Sequence, residues 1–529
     1  MHPSALAKRL YILLFIAIIA FYFYGLESLP LLGPDEPRYA QVAREMFLRG
    51  DLVTPMLGGH TWFEKPALLY WMIIAGFKIF GVSEWSARLG PAVCGLLTIA
   101  ALWRVGRAVE STSEVRDFSF WSVLAAASSL GLIVFARAAS FDIVITMTSA
   151  WALAFFVLHL LRKNSASLAG FYVFVGLSLL AKGLVGIVIP FGVVGVYYLL
   201  RREWPSRKVW LSLLWGIPLA VVVSAIWYGP VIARHGWLFV DEFFIQHHFA
   251  RYVSNKYHHP QPIYFYPAII LMLALPWTAF LVESIAKARR WVWRGDDSLS
   301  IVRVFALAWL AMPMVFFSFS GSKLPGYILP ALPAAAFLVA DRFIEPISKW
   351  SLRATGLICL ALAAGGFVWA LQSREITLIC ATMIAVPLLA AAVASFAKQN
   401  ERSISPVIIC GSIFVLVMVI LICAAPTVGQ RESVRDLLQL ADVRGYASAP
   451  VLAQRSDDRS AEFYAHDRVV YNAHGEPITF DEITLQQARG LGERIVVFIP
   501  LEYADNFKSA GNMELIGDNG RLAVFGWKP

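Results

Sequence analysis

Thirteen apolar runs govern what this chain can fold into. They cover residues 10–29, 85–102, 118–136, 143–161, 168–181, 184–200, 209–232, 263–282, 302–319, 324–340, 354–371, 376–397 and 406–425. A helix rises about 1.5 Å per residue, so about 20 residues cross a hydrocarbon layer about 30 Å thick. Water is absent there, and a spanning segment must satisfy its own backbone, which a helix does. The predicted class is an all-α polytopic membrane protein with about 13 transmembrane helices. The 529 residues are 58% hydrophobic and 15% charged, against roughly 45–50% and about 25% in soluble proteins. That balance excludes a disordered chain, a coiled coil and a cytosolic enzyme. The first run follows Lys8 and Arg9 with no clear small-residue cleavage site, and reads as an uncleaved first helix.

A fourteenth run, 66–82, carries Lys78 and is short for a span. The positive-inside rule decides its place. With 66–82 held out of the membrane and a cytoplasmic N-terminus, every inner loop is basic, as at Arg104 and Arg107, Arg201 and Arg202, or Arg289 and Arg290. Were it to span, those loops would move outside. It is therefore predicted to lie in the outer interface, within an outer segment 30–84. The C-terminus then also lies outside. From residue 430 the composition changes: 431–529 hold 11 Lys/Arg and 15 Asp/Glu. Helices at 431–440 and 480–489 and strands at 494–499 and 522–525 are predicted there. The expected organisation is a membrane part, 1–429, and a small outer α/β domain, 430–529. The basic excess lies in the membrane part. It suits lipid phosphate or the cytoplasmic membrane surface rather than nucleic acid. No nucleotide-binding fingerprint occurs. The five cysteines all lie in apolar runs and suggest no disulfide framework or zinc ribbon.

Ionisable groups left on the outer side despite the charge rule are candidates for chemistry, because charge at membrane depth is costly. Asp35 and Glu36 open Gly-Pro-Asp-Glu-Pro-Arg-Tyr-Ala, 33–40, where Pro37 suits a first helical turn and Asp35 an N-cap. The helix that follows is predicted to be amphipathic, with Tyr39, Val42, Ala43, Met46 and Phe47 on one face and Arg38, Gln41 and Glu45 on another. Glu64 and Lys65 precede the interfacial run. Asp142 sits in a tight outer turn. Lys323 opens a proline-broken helix, and irregular backbone at that depth must line a cavity. Four of the ten histidines, His247, His248, His258 and His259, fall within 13 residues. With Glu64, His247 and His248 offer a Zn²⁺ or Mn²⁺ site, although no Cys/His spacing accompanies them. The grouping predicts acids and cations around a cavity open to the outside and to lipid.

These landmarks resemble those of bacterial membrane glycosyltransferases with the GT-C architecture. They are 33–40, Phe63-Glu64-Lys65-Pro66, Arg88-Leu89-Gly90-Pro91, the Asp142 turn, Ala181-Lys182-Gly183 and 322–330. The similarity is to the lipid A aminoarabinose transferases, within the broader protein O-mannosyltransferase-like family. The resemblance implies a polyprenyl (undecaprenyl) phosphate-linked sugar donor and a lipid or glycan acceptor at the outer leaflet. It also implies inversion at the sugar carbon and a bacterial inner-membrane location with a periplasmic active site. Asp35, Asp142 and Glu36 are then the expected catalytic acids. Lys65, Arg251, Lys323, Tyr327 and Arg38 are expected on the donor phosphate. A leaving phosphate gains charge, which preorganised Lys and Arg stabilise, and an acceptor hydroxyl needs a base. A secondary transporter and a non-catalytic envelope assembly protein are the alternatives. A transporter predicts repeats and charges near mid-bilayer, whereas the charges here cluster at one face.

Overall fold

The computed structural model describes residues 5–250, 261–373, 375–397, 404–453, 459–472, 475–480, 483–508 and 512–529. Its first ten α-helices are α1 (Ala5–Phe23), α2 (Glu36–Arg49), α3 (Leu68–Phe80), α4 (Glu84–Thr112), α5 (Phe118–Ala127), α6 (Leu130–Phe135), α7 (Phe141–Arg162), α8 (Ser165–Lys182), α9 (Val185–Arg201) and α10 (Arg207–Val240). A π-helical stretch, Asp241–Ala250, continues α10. Further helices follow at Phe265–Leu273, Thr278–Lys287, Ser298–Ser318, Leu332–Phe343, Lys349–Ser373, Leu378–Phe396 and Ser405–Cys423. Each of the thirteen apolar runs falls on one helix or on a pair of helices. Among the described residues, nine helices are long and apolar enough to cross a membrane. This is a multi-pass membrane protein.

α3 has 13 residues, or roughly 20 Å of helix at 1.5 Å per residue, too short for a core of about 30 Å. It lies against α2 and α4. Its Tyr70 and Phe77 are buried in protein, whereas the sequence pattern assigns them to the interface; Ile79 and Phe80 are the exposed pair. Gly76 explains the close packing, since a Cβ there would strike the Ser86 carbonyl.

After α2 comes a short antiparallel hairpin of β1 (Met56–Leu57) and β2 (His60–Thr61), and the C-terminal residues form a four-stranded sheet from β3 (Val451–Ala453), β4 (Ile495–Pro500), β5 (Met513–Asp518) and β6 (Leu522–Trp527). The order is β3-β4-β6-β5, parallel between β3 and β4 and antiparallel elsewhere. Alternate residues of a strand face opposite sides. Val496, Phe498, Leu522 and Val524 enter one buried cluster, and Ile495, Val497, Ile499, Ala523 and Phe525 enter another. Both faces are covered, which is why 495–499 reads as an unbroken apolar run. β3 and β5 escaped the sequence pattern: one has three residues, and the other alternates weakly.

The structure corrects two expectations. Cys380 and Cys423 pair as a disulfide, at the start of Leu378–Phe396 and the end of Ser405–Cys423. Antiparallel neighbours bring these helix ends together, although neither residue lies in a Cys-rich segment. The polar side of α2 is also not left to solvent. Gln41 and Arg44 are buried there. Gln41 donates to Asp467 at 2.6 Å, and Arg44 donates to the Phe463 carbonyl at 2.9 Å and to Asp467 at 3.0 Å. The sheet domain covers that face.

Candidate active site

Several helix ends meet around one cavity: the starts of α2, α7 and α9, the end of α8, and the end of Ser298–Ser318. Successive antiparallel helices put alternate termini at the same end of a bundle. Charges can gather there while the apolar middles pack. Asp35, Tyr39, Glu64, Lys65, Ser140, Asp142, Lys182, His247 and Tyr327 are among the lining residues.

Asp35 occupies the N-cap position of α2 but makes no capping hydrogen bond from its side chain. Pro37 in the first turn lowers the demand for a cap, because proline has no N–H to satisfy. The carboxylate is exposed to the cavity instead. At the start of α7 the division of labour is different. Ser140 is the cap, accepting from the Asp142 N–H at 3.1 Å. That leaves the Asp142 carboxylate to pair with Lys182. The Lys182 ammonium also lies 4.6 Å from the centre of the Tyr327 ring. Lys182 is placed by the α8 C-terminus, where Gly183 adopts φ 65°. A side chain at Gly183 would be strained in that turn.

Tyr327 comes from the 3₁₀ segment Pro325–Ala331, where the prolines prevent a regular α-helix. The preceding residue, Gly326, faces Asp142 so closely that a Cβ would overlap its carboxylate. A residue without a side chain thus seats the acid.

Glu64 and Lys65 stand side by side, with Lys65 Nζ 2.6 Å from Glu64 Oε1. Glu64 Oε2 lies 3.7 Å from Arg38 Nη1. Arg38 also lies 3.8 Å from Glu462 of the sheet domain and stacks 5.1 Å from the centre of the Trp62 ring. Glu462 is 2% exposed, and burial pushes its carboxyl above the usual range against the pull of Arg459 and Arg38.

Other predicted site residues go elsewhere. Glu36 accepts two bonds of 2.7 Å from Arg88 and a third, of 2.8 Å, from the Ala139 N–H. It ties α2 to α4 and to the turn before α7, outside the cavity lining. Lys323 donates to the Gln261 carbonyl at 2.9 Å. Arg251, His258, His259 and the side chain of His248 lie outside the described residues. Among the described residues, no three His, Cys, Asp or Glu side chains gather to hold a metal ion. Glu64 lies between Lys65 and Arg38, and His247 lines the same cavity. Lys182 is the residue missing from the predicted site. Its signal was a lone charge closing an apolar run, in Ala181-Lys182-Gly183.

Residues 64–228 match the family model for dolichyl-phosphate-mannose-protein mannosyltransferases. Two similar proteins carry the name undecaprenyl phosphate-alpha-4-amino-4-deoxy-L-arabinose arabinosyl transferase. The one from Aeromonas salmonicida is 29% identical over 370 residues, covering 65% of this chain and 64% of that protein. The one from Pseudomonas aeruginosa is 30% identical over 364 residues, covering 66% and 63%. The chain thus spans a little under two thirds of the length of these relatives. Among solved structures, ArnT from Cupriavidus metallidurans bound to undecaprenyl phosphate superposes with a TM-score of 0.79 at 24% identity, covering 98% of each chain. Its apo state gives 0.76. The fold is the GT-C fold of the ArnT type.

Proposed function

We propose that this chain, which has the ArnT fold, moves a sugar from undecaprenyl phosphate to an acceptor lipid or glycan at the outer leaflet, from a periplasmic site in the bacterial inner membrane. An amino-pentose donor and a lipid A acceptor fit the names of its relatives. The observation that carries the reading is Asp35: a helix-start carboxylate that caps nothing and faces the same cavity as Lys65 and the Asp142–Lys182 pair.

In this reading the acceptor oxygen attacks the sugar carbon opposite the phosphate. The bond from that carbon to the phosphate oxygen breaks, and undecaprenyl phosphate leaves with the electron pair. Attack from the far face inverts the carbon. Asp35 takes the proton of an acceptor hydroxyl; a phosphate acceptor has none to give, and Asp35 then orients it. Lys65 meets the charge growing on the leaving phosphate, in a site where preorganised cations act strongly. Lys182 holds the Asp142 carboxylate in place, so that this acid orients the sugar. Charges gathered at one end of the bundle suit this chemistry better than transport, which needs them near its middle.

Asp35→Asn keeps shape and removes the base. Transfer from undecaprenyl-phosphate sugar by purified protein should fall about 10²–10⁴-fold, with Asp142→Asn less affected. Transfer near the parent rate by a monodisperse Asp35→Asn protein would refute the reading.

A further inference from the structure

Arg38 stands between two carboxylates and is bonded to neither. Its Nη1 is 3.7 Å from Glu64 and its Nε is 3.8 Å from Glu462. Arg38 Nε and Glu462 Oε2 are both buried and have no hydrogen-bond partner among the described residues. A buried, unsatisfied polar atom is costly, and here donor and acceptor face each other just beyond bonding reach. The other oxygen of Glu462 accepts from Arg459 at 3.1 Å. The charges therefore alternate along a row: Arg459, Glu462, Arg38, Glu64, Lys65.

That row has a consequence for Lys65. Its ammonium is engaged by Glu64 at 2.6 Å. To grip a phosphate it must share or leave that carboxylate, and Arg38, 3.7 Å away, is a cation in position to take up the charge it releases. We infer that Glu462, contributed by the C-terminal sheet domain, is a positioning residue that restrains Arg38 and so sets how tightly Lys65 can hold a lipid phosphate. This rests on the proposed role of Lys65. When phosphate takes Lys65, Arg38 closes on Glu64; Glu462 pulls against that closure. The sheet domain thereby tunes a site to which, among the described residues, it adds no lining side chain.

The sign of the effect separates this from simple damage. Glu462→Gln keeps the side-chain shape and releases Arg38 to Glu64. Binding of undecaprenyl phosphate in nanodiscs should tighten, by about threefold to tenfold for coupled groups of this kind. Glu462→Asp, which keeps the charge, should stay within about twofold of the parent on the same grounds. Arg459→Gln, which unmasks Glu462, should weaken binding. In an Arg38→Gln background the Glu462→Gln gain should vanish. Unchanged or weaker binding by folded Glu462→Gln overturns the inference, as does an equal gain without Arg38 or with Glu462→Asp. If Glu462→Gln does not fold, the direction of change in Arg459→Gln decides. Lys65→Ala separates the two levels. If it binds like the parent, the site reading fails. If it weakens while Glu462→Gln does not tighten, only the coupling fails.

Discussion

At the scale of single residues, Gly326 and Glu36 do more than their chemistry announces. Gly326 leaves room for the Asp142 carboxylate beside Lys182. Gly326→Ala should push that acid aside, and a misplacement near 1 Å can cost about 10²-fold in rate. Transfer should therefore drop while lipid-phosphate binding persists, as single-turnover and binding measurements on one preparation would reveal. Glu36 is different. Arg88 is 4% exposed and also donates to the Leu26, Leu29 and Pro30 carbonyls, so Glu36→Gln leaves a buried cation short of its counter-charge. Removing one partner of such a pair costs about 3–5 kcal/mol. A lower thermal midpoint in detergent is expected; lost transfer with an unchanged midpoint would return Glu36 to the chemistry. The acids were legible because charge beside apolar runs is conspicuous. Their division of labour was not, because adjacent carboxylates at 35 and 36 differ only in which way the first turn of α2 points them.

At the scale of elements, the contact between α2 and the sheet domain is the one the pattern could not supply. Periodicity marks a polar face but not what covers it. Gln41 and Arg44 look like solvent-facing residues until Asp467 and the Phe463 carbonyl are brought to them. His466 belongs to the same contact and accepts from Arg44 at 3.2 Å. Burial foremost, then Arg44 and Arg468, hold its pKa below the usual 6.5. A base with a lowered folded-state pKa resists protonation that the unfolded chain accepts. The stability it contributes is full above the unfolded value and falls as pH drops below it. Between about pH 7.5 and about pH 5.5, a range that brackets the histidine pKa, the parent should lose more thermal stability than His466→Gln. Equal losses would mean that His466 takes up its proton alike in the folded and unfolded protein.

At the scale of the whole molecule, run length alone gave the positions of the helices. The helices follow the apolar runs, and α3 is short where 66–82 was placed in the interface. What sequence could not reach were couplings across hundreds of residues, since nothing local to Arg38 names Glu462. Sidedness has a direct check: single cysteines replacing the exposed Thr61 and the partly exposed Ser83 should both react with an impermeant maleimide added from the periplasmic side. Labelling of position 83 from the cytoplasm alone would require α3 to cross and would invert the arrangement.

The latch between α2 and the sheet domain also fixes an order of events in the cell. Gln41 and Arg44 bond to partners 426 and 419 residues further along the chain. A ribosome adding roughly 5–20 residues per second reaches those partners tens of seconds after α2 has emerged. Through that interval the buried arginine and the unclosed charge row have no counterpart. A truncated chain therefore inserts most of its helices yet never completes the latch. The latch therefore closes only when Phe463 and Asp467 have been made, late in the synthesis of the chain.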